Sequence, residues 1–247
     1  MILVKKFYAF NELRNFSYLI YDKESGHCWI IDPYEAEPIA DYIKKNGLTP
    51  KGILNTHQHF DHIRGNAYLK EEFLVPVRKL KNAESIKLDD GHILETVDTP
   101  GHTMDHQVFI WKTNTGPWSL FSGDTLFNSG VGNCHGGGDV NALYLTTEKI
   151  LKTLPPSTLL YPGHDYRKRN LEFAQKVEPD NEEVKEELRK LQNVKTEELP
   201  PGTLEEELKV NPFFRLDSEE LRHTIFQNNH VDEKRVFIEL RRLRDHW

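Results

Sequence analysis

The segment Thr56-His57-Gln58-His59-Phe60-Asp61-His62 places three imidazoles and a carboxylate within seven residues. Imidazole nitrogen and carboxylate oxygen are ligands for zinc, iron and manganese. The segment follows the run Gly52-Ile53-Leu54-Asn55, whose apolar residues read as a buried strand. Side chains in extended backbone alternate with period two. His57, His59 and Asp61 are therefore expected on one side, with His62 following as the chain turns. A single histidine here would be an ordinary core or surface residue. This cluster, at the end of a buried run, points to metal.

Three later segments repeat the pattern of an apolar run, a glycine and a polar side chain. Residues 95–103 (ETVDTPGHT) deliver His102, residues 120–125 (LFSGDT) deliver Asp124, and residues 159–166 (LLYPGHDY) deliver His164. Glycine permits the tight turn that presents a side chain at a strand end. The set of His57, His59, Asp61, His62, His102, Asp124 and His164 exceeds the three protein ligands typical of one catalytic zinc. It suits two divalent metals, zinc first with iron or manganese also acceptable, about 3.5–4 Å apart and sharing a carboxylate.

Positioning these residues requires a layered α/β domain. Strand-type runs occupy 16–21, 28–32, 52–56, 107–112, 119–124 and 157–164. Residues 86–99 read as a hairpin turning at Asp90-Gly91, and 35–47 as an amphipathic helix closed by Gly47. From about residue 167 no strand run is evident. Helical stretches are expected over 178–193, with Asp180 as cap, and over 200–209, with Thr203 and Glu206 as a capping box. Two more are expected over 217–228 and 232–246. The recurring Leu, Phe, Val and Ile argue that this segment packs on the first rather than forming a solvated tail. The expected division is a catalytic domain, 1–169, and a helical domain, 170–247.

The chain has 247 residues and a net charge of −7, from 39 acidic and 32 basic residues. That length can bury a core without disulfides. The acidic balance disfavours nucleic acid as a partner. No apolar run reaches 18 residues and the N-terminus lacks a secretory core, so no membrane partner is expected. The two cysteines, Cys28 and Cys134, form no disulfide framework, and a reducing cytoplasm is the default. A monomer is expected. Cys28 reads as a small core residue, and His106 as a neighbour of the ligands. The other histidines have no ligand-like context.

The order HxHxDH, His, Asp, His resembles the metallo-β-lactamase superfamily. TPGHT (99–103), SGDTLF (122–127) and YPGHDY (161–166) look like glyoxalase II, the hydroxyacylglutathione hydrolase. The resemblance continues through 170–181, 203–215 and RRLRD (241–245), and so covers nearly the whole chain. It implies a four-layer αββα sandwich plus a small C-terminal all-helical domain. It assigns His57, His59 and His102 to one metal, Asp61, His62 and His164 to a second, and Asp124 to both. Asp61 and Asp124 are the implied catalytic carboxylates. Substrate contacts are implied for Tyr166, Arg241 and Arg244, with arginine standing where the family has lysine at 244. In the loop 128–144, Asn133 and His135 stand where the family usually has Lys and Tyr.

The implied activity is hydrolysis of S-(2-hydroxyacyl)glutathione, such as S-D-lactoylglutathione, to glutathione and a 2-hydroxy acid. Alternatives are a glutathione persulfide dioxygenase with one iron, or a metallohydrolase of another ester or lactone. A non-catalytic, metal-stabilised module would not need so complete a ligand set.

Overall fold

The structure is a computed structural model that describes every residue except 150, 228 and 229. One sheet has the order β1 (Ile2–Tyr8), β2 (Phe16–Asp22), β3 (His27–Ile31), β4 (Thr49–Leu54), β5 (Val77–Arg78). β1 to β3 are antiparallel, and β4 and β5 join in parallel. The parallel joins need crossovers, supplied by α1 (Ala36–Lys45) and by α2 (Phe60–Ile63) with α3 (Asn66–Phe73).

In the second sheet, β6 (Ser85–Asp89), β7 (His92–Asp98), β8 (Gln107–Thr113) and β9 (Ser119–Gly123) are antiparallel neighbours. A two-stranded ribbon of β10 (Leu126–Phe127) and β11 (Gly130–Val131) follows, then α4 (Val140–Lys149). β12 (Leu159–Pro162) pairs parallel with β9, and β13 (Gly202–Thr203) pairs antiparallel with β12 at the edge. The remaining helices are α5 (Arg167–Val177), α6 (Glu182–Lys190), α7 (Leu204–Val210), α8 (Glu219–Phe226) and α9 (Glu233–Asp245).

Alternation along the strands builds the layers. In β2, Tyr18 and Ile20 enter the apolar layer between the sheets, where they meet Phe109 and Phe121. Leu19 faces the other way and packs with Ile39 and Ile43 of α1 and Leu69 of α3. In β8 and β9, Val108, Ile110 and Leu120 turn outward from the sheets' interface. They join Phe173, Phe213, Phe237 and Leu240 in one continuous cluster. This is the expected αββα sandwich, and the helical C-terminal segment completes its fourth layer.

Several local expectations are corrected. β1 was not evident in the sequence because Lys5 and Lys6 interrupt its apolar pattern. The C-terminal segment does supply a strand, β13, too short at two residues to leave a periodic signal. Loop 128–144 contains β11 and the start of α4. The cap of α6 is Asn181, whose side chain accepts from Val184 N, whereas Asp180 N donates to Glu220. The Thr203/Glu206 capping box is present. Helix α8 ends at Phe226, and residue 228 of the expected stretch lies outside the described residues.

Candidate metal centre

The candidate ligands leave strand ends on one edge of the two sheets. β4 stops at Leu54, so His57 lies beyond the strand and simple alternation does not carry through to Asp61. The chain instead turns into α2, with His59 at its N-cap and Asp61 and His62 in its single turn. Asp61 therefore parts from His57 and His59 and joins His62 and His164. At the end of β9, Gly123 has φ +49, and an added methyl would run into Thr56 Oγ1 and His106 Nε2. Gly163, before His164, sits so close to the Asp124 carboxylate that a methyl there would collide with it.

His57 Nε2 is 3.0 Å from His59 Nδ1, which is 3.1 Å from His102 Nε2. In the second group, His62 Nε2 is 3.3 Å from His164 Nε2, and Asp61 Oδ2 is 3.6 and 3.3 Å from those two nitrogens. Asp124 stands between the groups. Its Oδ1 is 3.2 Å from His62 Nε2, and its Oδ2 is 3.2 Å from His164 Nε2 and 3.6 Å from His102 Nε2. Ligand atoms about 2.0–2.2 Å from one ion in a tetrahedron stand roughly 3.3–3.6 Å apart. The second group falls in that range, and the first group is a few tenths of an ångström tighter. Asp124 Oδ1 is buried with no hydrogen-bond partner among the described residues. A buried orphan oxygen facing imidazole nitrogens fits a divalent cation.

Four of the five imidazoles are held closely from behind, as metal ligands usually are, and His59 Nε2 has a longer contact of 3.4 Å to the Gly136 carbonyl. His57 Nδ1 meets Thr56 Oγ1 at 3.1 Å, and His62 Nδ1 meets Asp32 Oδ2 at 3.0 Å. His102 Nδ1 meets the Asn133 carbonyl at 2.7 Å, and His164 Nδ1 meets the Leu13 carbonyl at 2.8 Å. Asn15 Nδ2 donates to Asp61 Oδ2 at 2.9 Å. His106 accepts from Asp124 N at 3.2 Å and stacks on His57, which bears out its reading as a neighbour.

Burial pushes His57 and His102 below the ordinary imidazole range, with charged neighbours acting after it. The neutral form that results is the one that binds metal. Burial works against the Asp124 charge, but His164 and His62 hold its carboxyl well below the usual carboxylate range. For His62, burial also opposes the charge, and Asp124 and Asp32 outweigh it.

A cavity of about 330 Å³ adjoins this centre. Tyr166 stacks on His164 with ring planes 6° apart, and Leu13 and Phe127 flank the same histidine. Tyr166, Asn133, His135, Arg241 and Arg244 all line the cavity. Arg241 is buried and occupied. Its Nη1 donates to the Val131 and Gly132 carbonyls at 2.7 and 3.1 Å, and its Nε and Nη2 engage Asp245. It steadies the loop whose Asn133 carbonyl holds His102.

Sequence reasoning missed Asp32, Asn15 and Glu207. Asp32 ends the run CWIID (28–32), so it carried the same strand-end signal as the ligands, without a neighbouring histidine to draw attention. Glu207 is fully buried and accepts from Ser129 N through both oxygens, at 3.0 and 2.8 Å, and from Asn211 Nδ2 at 2.8 Å. It thereby pins the β10–β11 turn, where Ser129 has φ +62. Its sequence surroundings look like an exposed helix face.

Residues 165–247 match the family described as hydroxyacylglutathione hydrolase C-terminus, and residues 11–119 match the metallo-β-lactamase superfamily. A hydroxyacylglutathione hydrolase of Nitrosococcus oceani is 39% identical over 265 aligned positions, which cover 100% of both chains. The cytoplasmic hydroxyacylglutathione hydrolase of Arabidopsis thaliana is 33% identical, covering 94% of this chain and 95% of its own. A protein solved in a di-iron-bound form is similar with a TM-score of 0.59 and 25% identity, over 84% of this chain and 99% of its own.

Proposed function

The chain belongs to the hydroxyacylglutathione hydrolase family of the metallo-β-lactamase superfamily and is a metallohydrolase, and on that premise we propose that it cleaves the thioester of S-(2-hydroxyacyl)glutathione to glutathione and a 2-hydroxy acid. S-D-lactoylglutathione is the representative substrate. The single observation that carries this reading is a cavity of about 330 Å³ whose lining residue Tyr166 stacks on His164, at the edge of the candidate ligand set.

Two divalent ions are the proposed complement, zinc first, with iron or manganese chemically admissible. His57, His59 and His102 would hold one, Asp61, His62 and His164 the other, and Asp124 both. Such ions would lower the pKa of a water toward neutrality and polarise the thioester carbonyl. Asp61, fixed by Asn15 at Oδ2, is the catalytic carboxylate proposed at the outer edge of the centre, where the same oxygen faces His62 and His164. Asp124, between the histidine groups, sets their spacing. Tyr166 and Phe127 present an apolar wall beside His164, against which the acyl-cysteine portion is oriented and from which water is excluded. The leaving thiol has an ordinary pKa of about 8.5, so it departs as thiolate without a strong general acid. The division into 1–169 and 170–247 is proposed as catalytic and substrate-binding, with the protein a cytoplasmic monomer.

The full-length relatives and the C-terminal match favour hydrolysis over persulfide oxidation. The test is turnover of S-D-lactoylglutathione by protein of measured metal content, beside the Asp124→Ala variant. Rapid thioester loss in the wild type alone supports the reading. A protein holding two metals that leaves the thioester intact overturns it.

A further inference from the structure

The cavity beside His164 has an unbalanced set of charges. Arg169 of α5 and Arg241 and Arg244 of α9 line it, against only Glu12 and Asp245. Asp245 is taken: Arg241 Nη2 lies 2.9 Å from its Oδ1, and His135 Nε2 approaches the same oxygen at 3.4 Å. Arg244 directs Nε and Nη2 at the neutral Asn170 Oδ1, at 3.3 and 3.1 Å. Arg169 gives Nη2 to the main-chain oxygen of Trp247 at 2.7 Å. Among the described residues, neither guanidinium pairs with a carboxylate side chain, and Glu12 forms no ion pair.

Asn170 is one position after Arg169 on the same helix and accepts from Arg244, and all three residues line the cavity. Burial first, then Arg241 and Arg169, bring Arg244 down to about 10, which marks mutual repulsion that an anion would relieve. Two cations that no carboxylate side chain neutralises, and one carboxylate outside any ion pair, complement glutathione, which carries two carboxylates and one ammonium.

We propose that Arg169, paired with Arg244, is a specificity-determining residue that binds a carboxylate of the glutathione half of the substrate. Arg241 braces the loop behind that pair. The assignment rests on the function proposed above. Arginine suits the task because its planar fork matches a carboxylate through two parallel hydrogen bonds.

The test compares wild type, Arg169→Gln and Arg169→Lys on S-D-lactoylglutathione and on two analogues. One analogue has the glycine carboxylate as its amide, and the other lacks the γ-glutamyl α-carboxylate. Arg169 is exposed, so both variants are expected to keep the wild-type melting temperature. Arg169→Gln should raise KM roughly tenfold to a hundredfold on the parent substrate, with kcat little changed, as loss of a charged hydrogen bond does. Arg169→Lys should recover part of that loss. With one analogue, the wild type should already show the raised KM and the Gln variant should add nothing. That analogue identifies the carboxylate. An unchanged KM in Arg169→Gln, or the same increase with all three substrates, overturns the assignment. Absence of turnover by the wild type removes the premise instead, and the assignment with it.

Discussion

Asp32 Oδ2 lies 3.0 Å from His62 Nδ1, deep enough that the two side chains are 3% and 1% exposed. The same carboxylate accepts from Thr56 N at 2.8 Å and Thr56 Oγ1 at 2.7 Å. One aspartate at the end of β3 thus aligns a ligand on α2 and the start of the ligand segment. Asp32→Asn leaves the fold but puts an amide N–H where Thr56 and His62 require an acceptor. Metal affinity should fall by about 10–100-fold. Titration of the apoprotein against a competing chelator checks this, and wild-type affinity would remove Asp32 from the site's support.

Asp124 faces both histidine groups. Asp124→Ala should lose metal and lower kcat by about 10³-fold, since several kcal/mol of transition-state stabilisation goes with it. Metal analysis and steady-state rates on the same preparation check this. A variant with full metal content and activity would contradict the shared role.

Gly123→Ala combines a left-handed backbone with a collision against Thr56 and His106. Such strain costs about 1–3 kcal/mol, or roughly 2–12 °C in melting temperature for a chain of this size. Scanning calorimetry reads it directly, and an unshifted transition would show that the turn adapts.

Burial pushes the Glu207 carboxyl up from 4.5 to about 7, against the hydrogen bonds from Asn211 and Ser129 and the charge of Arg167. Its folded value exceeds its unfolded value, so its contribution to stability is greatest below about pH 4.5. That contribution declines as pH rises to about 7 and is level beyond. Glu207→Gln, which mimics the protonated form, should gain on the wild type between pH 5 and pH 8. Melting temperatures of the two proteins across that range test it, and a pH-independent difference would show that Glu207 does not titrate there.

Chelation should lower both activity and melting temperature, because an ion that binds only the folded state stabilises it by about 2.7 kcal/mol at a hundredfold excess over Kd. Restoring zinc, iron or manganese one at a time should recover both and identify the active ion. Full activity at no measurable metal content would refute a metal role.

The layers of the fold were legible wherever alternation was strong. Leu19 beside Ile20 in β2, and Leu120 beside Phe121 in β9, show faces that diverge as period two requires. β1 and β13 were not legible, the first because lysines break its pattern and the second because two residues hold no period.

The sequence by itself determined the ligand types, their order and the glycines beside them, because coordination chemistry, the positive φ of Gly101 and Gly123 and the close approach of Asp124 to Gly163 restrict which residues can serve. Tertiary structure decided the grouping. β4 ends before His57, so Asp61 follows the turn of α2 to His62 and His164, and only sheet pairing brings those strand ends together. It also decided how the cavity's arginines are engaged: helix packing commits Arg241 to the loop carbonyls and Asp245, and leaves Arg169 and Arg244 with no carboxylate side-chain partner among the described residues. Side-chain availability depends on what is packed behind a residue, and a linear sequence does not record that.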